Sequence, residues 1–423
     1  MKLITIIFLT LLLSNVYGQS YNIEALIDSA LINYPIYKQY QLNKKKNNIE
    51  LQKIKFDNFP DISLSAQAQW QSEVMKIDID FPPQIDVELP NVPQDQYKAS
   101  LDIKQSIYKG GLAKKQIEIS NLDKKINDNQ TEVELYKLKQ RLITYYYQLI
   151  LLDKQREIFK EHQETLKVKL DELKSLINNG MVLSSAADKI EVELIDIDNQ
   201  LVNIEFEKQK ALQSLSRLCG FELNQSAEFD LPEFEVNYNK SIERLELKNF
   251  SLQQNKLSSM QSLINSKKQP MVFAFGQAGY GRPGLNYFSD KFTDYYIVGA
   301  SLKWNIFNWN NFEREKEILN IQSQNIELQK ETFKTEIDIA SEEIKKEIGK
   351  QNNLIANDKT IIELRQKIAS TSSQQLNNGL ITSSEYLKDL NKLNQAKINA
   401  HINKIKLSLA EANYLWINGF LNF

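Results

Sequence analysis

The sequence predicts a mainly α protein with a small β part, built on long antiparallel coiled-coil helices and written twice along the chain. Three observations carry this. Apolar residues recur at steps of 3 and 4 over long stretches. Two stretches, Leu176–Ser185 and Ile103–Tyr108, return in altered form 199 residues later. Four short segments alternate strictly between apolar and hydrophilic residues.

Composition narrows the classes. The chain has 423 residues with 52 Lys+Arg against 54 Asp+Glu, a balance that argues against nucleic acid or an anionic surface as the main partner. Only 13 Gly and 9 Pro disfavour a loop-rich β protein or a dinucleotide-binding enzyme. The single cysteine, Cys219, excludes an internal disulfide framework and a cysteine-based zinc site. The 2 histidines, His162 and His401, leave little for acid–base catalysis.

Residues 1–18 read as a secretory signal: Lys2, an apolar run from Leu3 to Leu13, and a small residue, Gly18, at the expected cleavage point. The run is too short to span a bilayer comfortably. No later segment reaches 18 consecutive apolar residues, so a membrane crossing by the mature chain would have to use strands.

The longest helix is expected from about residue 111 to Asn178, where no Pro or Gly interrupts. Its seam runs Leu138, Leu142, Tyr145, Leu149, Leu152, Arg156, Phe159, Gln163, Leu166, Leu170, Leu173, Ile177. Such a heptad stripe implies a left-handed supercoil and, at 1.5 Å per residue, a rod about 100 Å long. The pattern resumes from Ala187 to Leu218, and a second pair is expected over 312–378 and 384–417. Between the partners lie Asn178-Asn179-Gly180 and Asn377-Asn378-Gly379, with glycine suited to a left-handed helix end. Ser185 with Asp188, and Thr382 with Glu385, have the spacing of capping boxes that restart a helix.

The alternating segments sit ahead of the long helices. Ile62, Leu64, Ala66, Ala68 and Trp70 form one apolar face, and Tyr97, Ala99, Leu101 and Ile103 the next. In the second half Val272, Ala274, Gly276, Ala278 and Tyr280 are followed by Tyr296, Val298, Ala300, Leu302, Trp304 and Ile306. Met271, Phe273 and Phe275 depart by placing apolar groups on the hydrophilic face. Segments of about ten residues with aromatic ends suit outer-membrane strands. Four strands cannot close a barrel, and lipid does not tolerate an open edge, so several chains would have to share one. Three protomers would give about twelve strands. A soluble sheet lying on a helical body is the alternative.

The order of these features resembles the TolC family of outer-membrane efflux proteins over essentially the whole mature chain. Its carriers are Asn33-Tyr34-Pro35, Phe59-Pro60, Gln105-Ser106-Ile107-Tyr108-Lys109-Gly110-Gly111, Leu376-Asn377-Asn378-Gly379 and Ser383-Ser384-Glu385-Tyr386-Leu387. Trp309-Asn310 replaces the Gly-Gly pair in the second copy. The resemblance implies a homotrimer in the outer membrane of a Gram-negative bacterium. An α-barrel would be continuous with a 12-stranded β-barrel of four strands per protomer. It implies repeats at 19–231, with its hairpin at 60–108, and 232–423, with its hairpin at 270–307. It also implies a periplasmic adaptor (membrane fusion) protein and an inner-membrane pump of RND or ABC type as partners, with passive export of small molecules or polypeptides and no chemistry. A periplasmic or secreted coiled-coil scaffold or adhesin without a pore is the rival reading. An enzyme on a helical body is another, for which no residues stand out.

On this resemblance Asn178, Asn179, Gly180, Met181, Val182, Leu183, Asn377, Asn378, Gly379, Leu380 and Ile381 are expected to touch the adaptor. Packing on a neighbouring hairpin is the alternative for the apolar ones. Glu385 falls where the family often has an acid at the periplasmic constriction, and three copies would make a cation-favouring ring. Its other role is to cap a helix with Thr382. Asp188 and Asp389 are further aperture candidates. The acids Asp78, Asp80, Asp86, Glu88 and Asp95 in the first hairpin loop match no calcium-loop spacing and read as solvated. No catalytic residue, cofactor or metal site is expected.

Overall fold

The computed structural model describes residues 20–75, 92–180 and 182–421. The signal segment 1–18, Met181 and the loop acids Asp78, Asp80, Asp86 and Glu88 lie outside the described residues. The chain opens with β1 (Ser20–Tyr21), then α1 (Ile23–Asn33) and α2 (Pro35–Phe56). The Asn22 side chain caps α1 by accepting from the Ala25 N–H at 2.8 Å. The resemblance places Asn33-Tyr34-Pro35 within a single first helix. The chain breaks there because the residue before proline avoids the helical region; Tyr34 is extended, with φ −69 and ψ 138, and Pro35 opens the next helix.

The hairpin of β2 (Asp61–Trp70) and β3 (Asp95–Tyr108) leads into α3 (Leu112–Asn178), and α4 (Ser185–Cys219) returns from it. After β4 (Glu228–Phe229), α5 (Leu245–Lys267) precedes a second hairpin, β5 (Met271–Arg282) and β6 (Thr293–Lys303). Then come α6 (Asn311–Asn377) and α7 (Ser383–Asn418). The two long helices have 67 residues each. No described helix is long and apolar enough to cross a membrane.

The chain forms two compact units, and α2, α3, α5 and α6 contribute segments to both. The first unit takes the chain up to Tyr40, Asn129–Lys248 and from Lys330 on. One of its cores joins Leu26 and Ile27 of α1, Leu142, Ile143, Tyr146 and Tyr147 of α3, and Leu215 of α4, with Ile405 and Ala412 of α7. Buried hydroxyls there are paired: Tyr147 Oη lies 2.6 Å from Ser408 Oγ, and Tyr146 donates to the Asp230 carbonyl at 2.8 Å. Cys219 is buried; its thiol faces the Leu26 carbonyl at 3.6 Å, and burial pushes its pKa up to about 12. Arg244 is buried in the same unit, its guanidinium donating to Glu246 and to the last carbonyls of α7 at Trp416 and Ile417. The Trp416 ring lies 4.8 Å from that guanidinium.

The second unit takes Gln41–Asp128 and Asn249–Gln329 and holds the four-stranded antiparallel sheet, in the order β2-β3-β5-β6. Its register sets Leu64 opposite Leu101, Leu101 opposite Ala278, and Ala278 opposite Tyr296. Side chains alternate, so this row and its neighbours form one apolar face. β6 ends at Lys303, short of the expected alternation through Ile306, because its partner β5 begins at Met271, opposite Lys303. Trp304 beyond it instead donates its indole N–H to the Lys268 carbonyl at 3.1 Å.

Candidate functional site

Two surfaces matter, one in each unit. In the first unit, both helix tips turn on glycine: Gly180 has φ 72 and Gly379 has φ 70, and a Cβ at either would strain the backbone. The Leu380 N–H bonds back to the Gln375 carbonyl at 2.8 Å and the Gly379 N–H to Leu376 at 3.0 Å, satisfying the last carbonyls of α6. Thr382 then caps α7. Its hydroxyl accepts the Glu385 N–H at 3.3 Å, and Glu385 Oε2 accepts the Thr382 N–H at 2.8 Å. This is the expected box. The other expected box is absent. Ser184, not Ser185, precedes α4; it is itself helical and makes no side-chain cap bond. The reason is the turn before it, where the Leu183 carbonyl takes the Ala186 N–H at 3.0 Å and winds Ser184 and Ser185 into the helix.

The expected adaptor residues divide in two. Val182 and Ile381 pack against a buried cluster that includes Leu173, Ile190, Leu376 and Tyr386. Leu183 and Leu380 project, at 79% and 72% exposure, and so do Asn178, Asn179, Gly180, Asn377, Asn378 and Gly379. Tip leucines this exposed are costly in water unless a partner covers them.

The aperture candidates are tied into local bonds to different degrees. Glu385 is exposed, and the backbone N–H of Thr382, then its hydroxyl, hold its carboxyl below the ordinary range. Asp389, a turn further on, accepts from the Ser372 hydroxyl at 2.6 Å. Asp188 is exposed in the first turn of α4. Among the described residues no group of three or more His, Cys, Asp or Glu side chains could hold a metal. His162 is 4% exposed with Nε2 unpaired, and burial, helped by the Lys397 charge, pushes its pKa down to about 4.

One tip residue escaped sequence reasoning. Lys169 on α3 is 2% exposed. Its ammonium donates to Glu172 Oε2 at 2.9 Å, Ser373 Oγ at 3.0 Å and Asn377 Oδ1 at 2.5 Å, and lies 5.3 Å from the Tyr386 ring centroid. It therefore ties α3 to α6 and α7. Nearby, Lys189 donates to Ser384 Oγ at 2.7 Å and Asn391 to Glu193 at 3.0 Å, linking α4 to α7.

In the second unit, the apolar face of the sheet is uncovered. Leu64, Tyr296 and Val298 are each 80% exposed, and Ile62, Trp70, Tyr280 and Leu302 are exposed beside them. The opposite face is polar and internally bonded: the Asp102 carboxylate accepts from Ser65 and Ser100 at 3.0 Å each and from Gln277. Two aromatics on this face sit over glycines. The Phe275 ring occupies the space where Gly299 would carry a Cβ, and Tyr295 does the same at Gly279. Phe273 carries the Lys104 ammonium at 5.0 Å. Asp95, which opens β3, accepts from Arg282 at 3.2 Å.

No protein-family model matches the sequence, and no curated protein does. Solved structures match the fold. The outer membrane protein VceC from Vibrio cholerae aligns with a TM-score of 0.71 at 14% identity, covering 94% of this chain and 96% of that one. The outer-membrane channel OprN aligns with a TM-score of 0.73 at 14% identity, over 94% of this chain and 89% of its own. The Campylobacter jejuni CmeC outer membrane channel gives 0.70 at 14% identity, over 94% and 85%. The chain has the fold of these outer-membrane channels.

Proposed function

We propose that this chain is one protomer of an outer-membrane exit duct, working in a tripartite efflux or type I secretion system. One observation carries the reading: a sheet whose apolar face is exposed along its length and whose outer strands, β2 and β6, each pair on one side only. Lipid accepts such a face and rejects such edges. β6 of one copy would pair with β2 of the next, and three copies would close about twelve strands. The polar face would then line a wet lumen that conducts passively.

Exposed apolar seams on the helices support assembly with further copies. Val192, Ile195, Val202 and Phe206 of α4 stand clear at coiled-coil spacing, as do Leu354, Ile361, Leu364 and Ile368 of α6. In the second unit Leu42, Ile49 and Phe56 of α2 repeat every seventh residue and are exposed. The halves 19–231 and 232–423 would be two copies of one unit, giving the trimer twelve helical columns. The tips, led by Leu183 and Leu380, would meet a periplasmic adaptor coupled to an inner-membrane pump, which would supply the energy. Glu385, with Asp389 and Asp188, would line the periplasmic aperture.

The test is the mass of the protein extracted in detergent from the outer-membrane fraction of a Gram-negative host. A trimer there is the expected result. A monomer or dimer in the soluble fraction would overturn the reading and favour a scaffold without a pore.

A further inference from the structure

Two joints of the sheet are the same joint. In the first hairpin Asp61 lies opposite Lys104, Leu64 opposite Leu101 and Trp70 opposite Asp95. In the second their counterparts meet in the same pairs: Met271 opposite Lys303, Ala274 opposite Ala300 and Tyr280 opposite Asp294. A side-chain tie repeats as well. Gln105 donates to the Asn58 carbonyl at 2.8 Å; Trp304, in the place of Gln105, donates to the carbonyl of Lys268, in the place of Asn58, at 3.1 Å.

The remaining joint, β3 on β5, has no counterpart within the sheet, because β6 and β2 are its two edges. At the foot of that joint the chain turns into α3 through Gly110 and Gly111, at φ 60 and 80. Gly110 presses on the end of α5: a Cβ there would stand 2.6 Å from both Gln269 Cβ and the Ser266 carbonyl oxygen. Only glycine permits that approach.

The counterpart positions are aromatic. Trp309 and Asn310 make the same left-handed turn, at φ 55 and 58, without glycine. For a bulky residue that backbone is an outlier, held where it serves a purpose. The Trp309 ring projects, 79% exposed, edge-on to an exposed Phe307 at 5.0 Å between centroids. In the places of Ser266 and Gln269 stand Phe56 and Phe59, also exposed, with their rings 5.6 Å apart. All four rings belong to the second unit. They mark, as two open pairs, a contact that the other half of the chain holds closed.

We infer that these rings are the joint between copies of this chain: Phe307 and Trp309 of one copy seat on Phe56 and Phe59 of the next, where β6 takes the next β2 in the register that β3 takes β5. This rests on the shared-barrel reading. In that register Leu302 falls opposite Ala66 of the next copy, as Ile103 does opposite Gly276, and Trp304 falls opposite Leu64, as Gln105 does opposite Ala274. Apolar residues then meet across the joint. Tryptophan cannot come as near as glycine, so the joint between copies is wider than the one inside the chain and is filled by ring area. The contact is head-to-tail, which closes a ring of copies rather than a two-fold pair.

Cysteine cross-linking tests this cleanly, because Cys219 is fully buried. Phe59→Cys with an affinity tag and Trp309→Cys without one are co-expressed, and the outer-membrane fraction is oxidised with copper phenanthroline. A covalent tagged–untagged dimer is expected, and neither variant should dimerise alone. Trp309→Gly, which supplies the residue found at the counterpart position, suits the left-handed turn and removes only the ring. It should raise the concentration at which the detergent-extracted trimer dissociates by at least about tenfold. Dimers from Trp309→Cys alone would mean a two-fold contact and overturn the joint. A trimer in the outer membrane that yields no mixed dimer, or that is indifferent to Trp309→Gly, overturns the joint and leaves the duct; the rings would then belong to the lipid boundary. A soluble monomer overturns both.

Discussion

The two helix tips share a turn and differ in how the next helix is held. Both turn on Asn-Asn-Gly with a left-handed glycine. Beyond it, α7 begins with a complete reciprocal cap, and α4 begins with none. The difference is written in two positions: 199 residues before Thr382 stands Leu183, and before Glu385 stands Ala186. Leucine has no oxygen to accept a backbone N–H, and alanine cannot reach back. The first tip relies instead on burial, with Ala186, Ala187 and Ile190 sealed against the tip cluster. A second contrast runs the other way. Lys169 is buried and bonded to Glu172 of its own helix and to Ser373 and Asn377 of α6, whereas its counterpart 199 residues on, Ile368, is 43% exposed. Similar turns thus anchor a pair of hairpins in which the first hairpin's long helix grips the second tip through Lys169, a grip that Ile368 has no polar group to return.

The strongest way to break this comparison is Lys169→Met. It leaves Asn377 Oδ1 and Ser373 Oγ without their donor, and should lower the local opening free energy of the second tip by about 2 kcal/mol. Ile368→Gln should change it by no more than about 0.5 kcal/mol. Native-state hydrogen exchange of the amides around Leu376 reads both, and equal effects would mean that the lysine carries no special load. Next comes the cap. Thr382→Ala should cost the first turn of α7 about 1 kcal/mol, and Ser184→Ala should leave α4 within about 0.5 kcal/mol of native. Equal fraying of the two helices by the same measurement would erase the distinction. Leu183→Thr offers an oxygen where α4 lacks one and should gain about 0.5 kcal/mol, since the leucine is exposed and removes little core. Faster exchange at Ala186 and Ala187 in that variant would show that Leu183 stabilises the tip in some other way.

The smallest effect is acid. The Glu385 pKa is depressed in the folded chain, so over the interval between its folded and unfolded values the unfolded chain binds more proton. The cap's contribution is present above the ordinary value of 4.5 and is lost as pH falls through the folded one. The α7 end should loosen in acid as this carboxylate is protonated. A carboxyl-carbon NMR titration of Glu385 checks the sign, and a midpoint above 4.5 would contradict it.

Much of this was readable from residues alone. The seam from Leu138 to Leu173 follows from spacing, because a coiled coil enforces its period along the whole rod. Gly180, Gly379 and the Thr382–Glu385 pair are local signals, decided within a few residues. The strand faces follow from alternation. What escaped depended on neighbours distant in sequence. Lys169 looks like a solvated lysine until Ser373, Asn377 and Tyr386 are brought to it. Tyr295 looks like one more aromatic in a strand until register sets it opposite Gly279. Ser185 and Asp188 have the right spacing for a cap and the wrong backbone, a one-residue difference fixed by the turn at Leu183.

The unpaired borders of the sheet also constrain how such a protein is made. β2 and β6 each offer a row of free backbone groups, beside a face of exposed Leu64, Tyr296 and Val298. In water those borders would template the strands of any neighbouring copy, and in lipid they would go unsatisfied. A lone newly made chain is at home in neither solvent. If the proposed shared barrel forms, membrane entry and ring closure would be a single event, and until then the strands would need an escort that shields their edges.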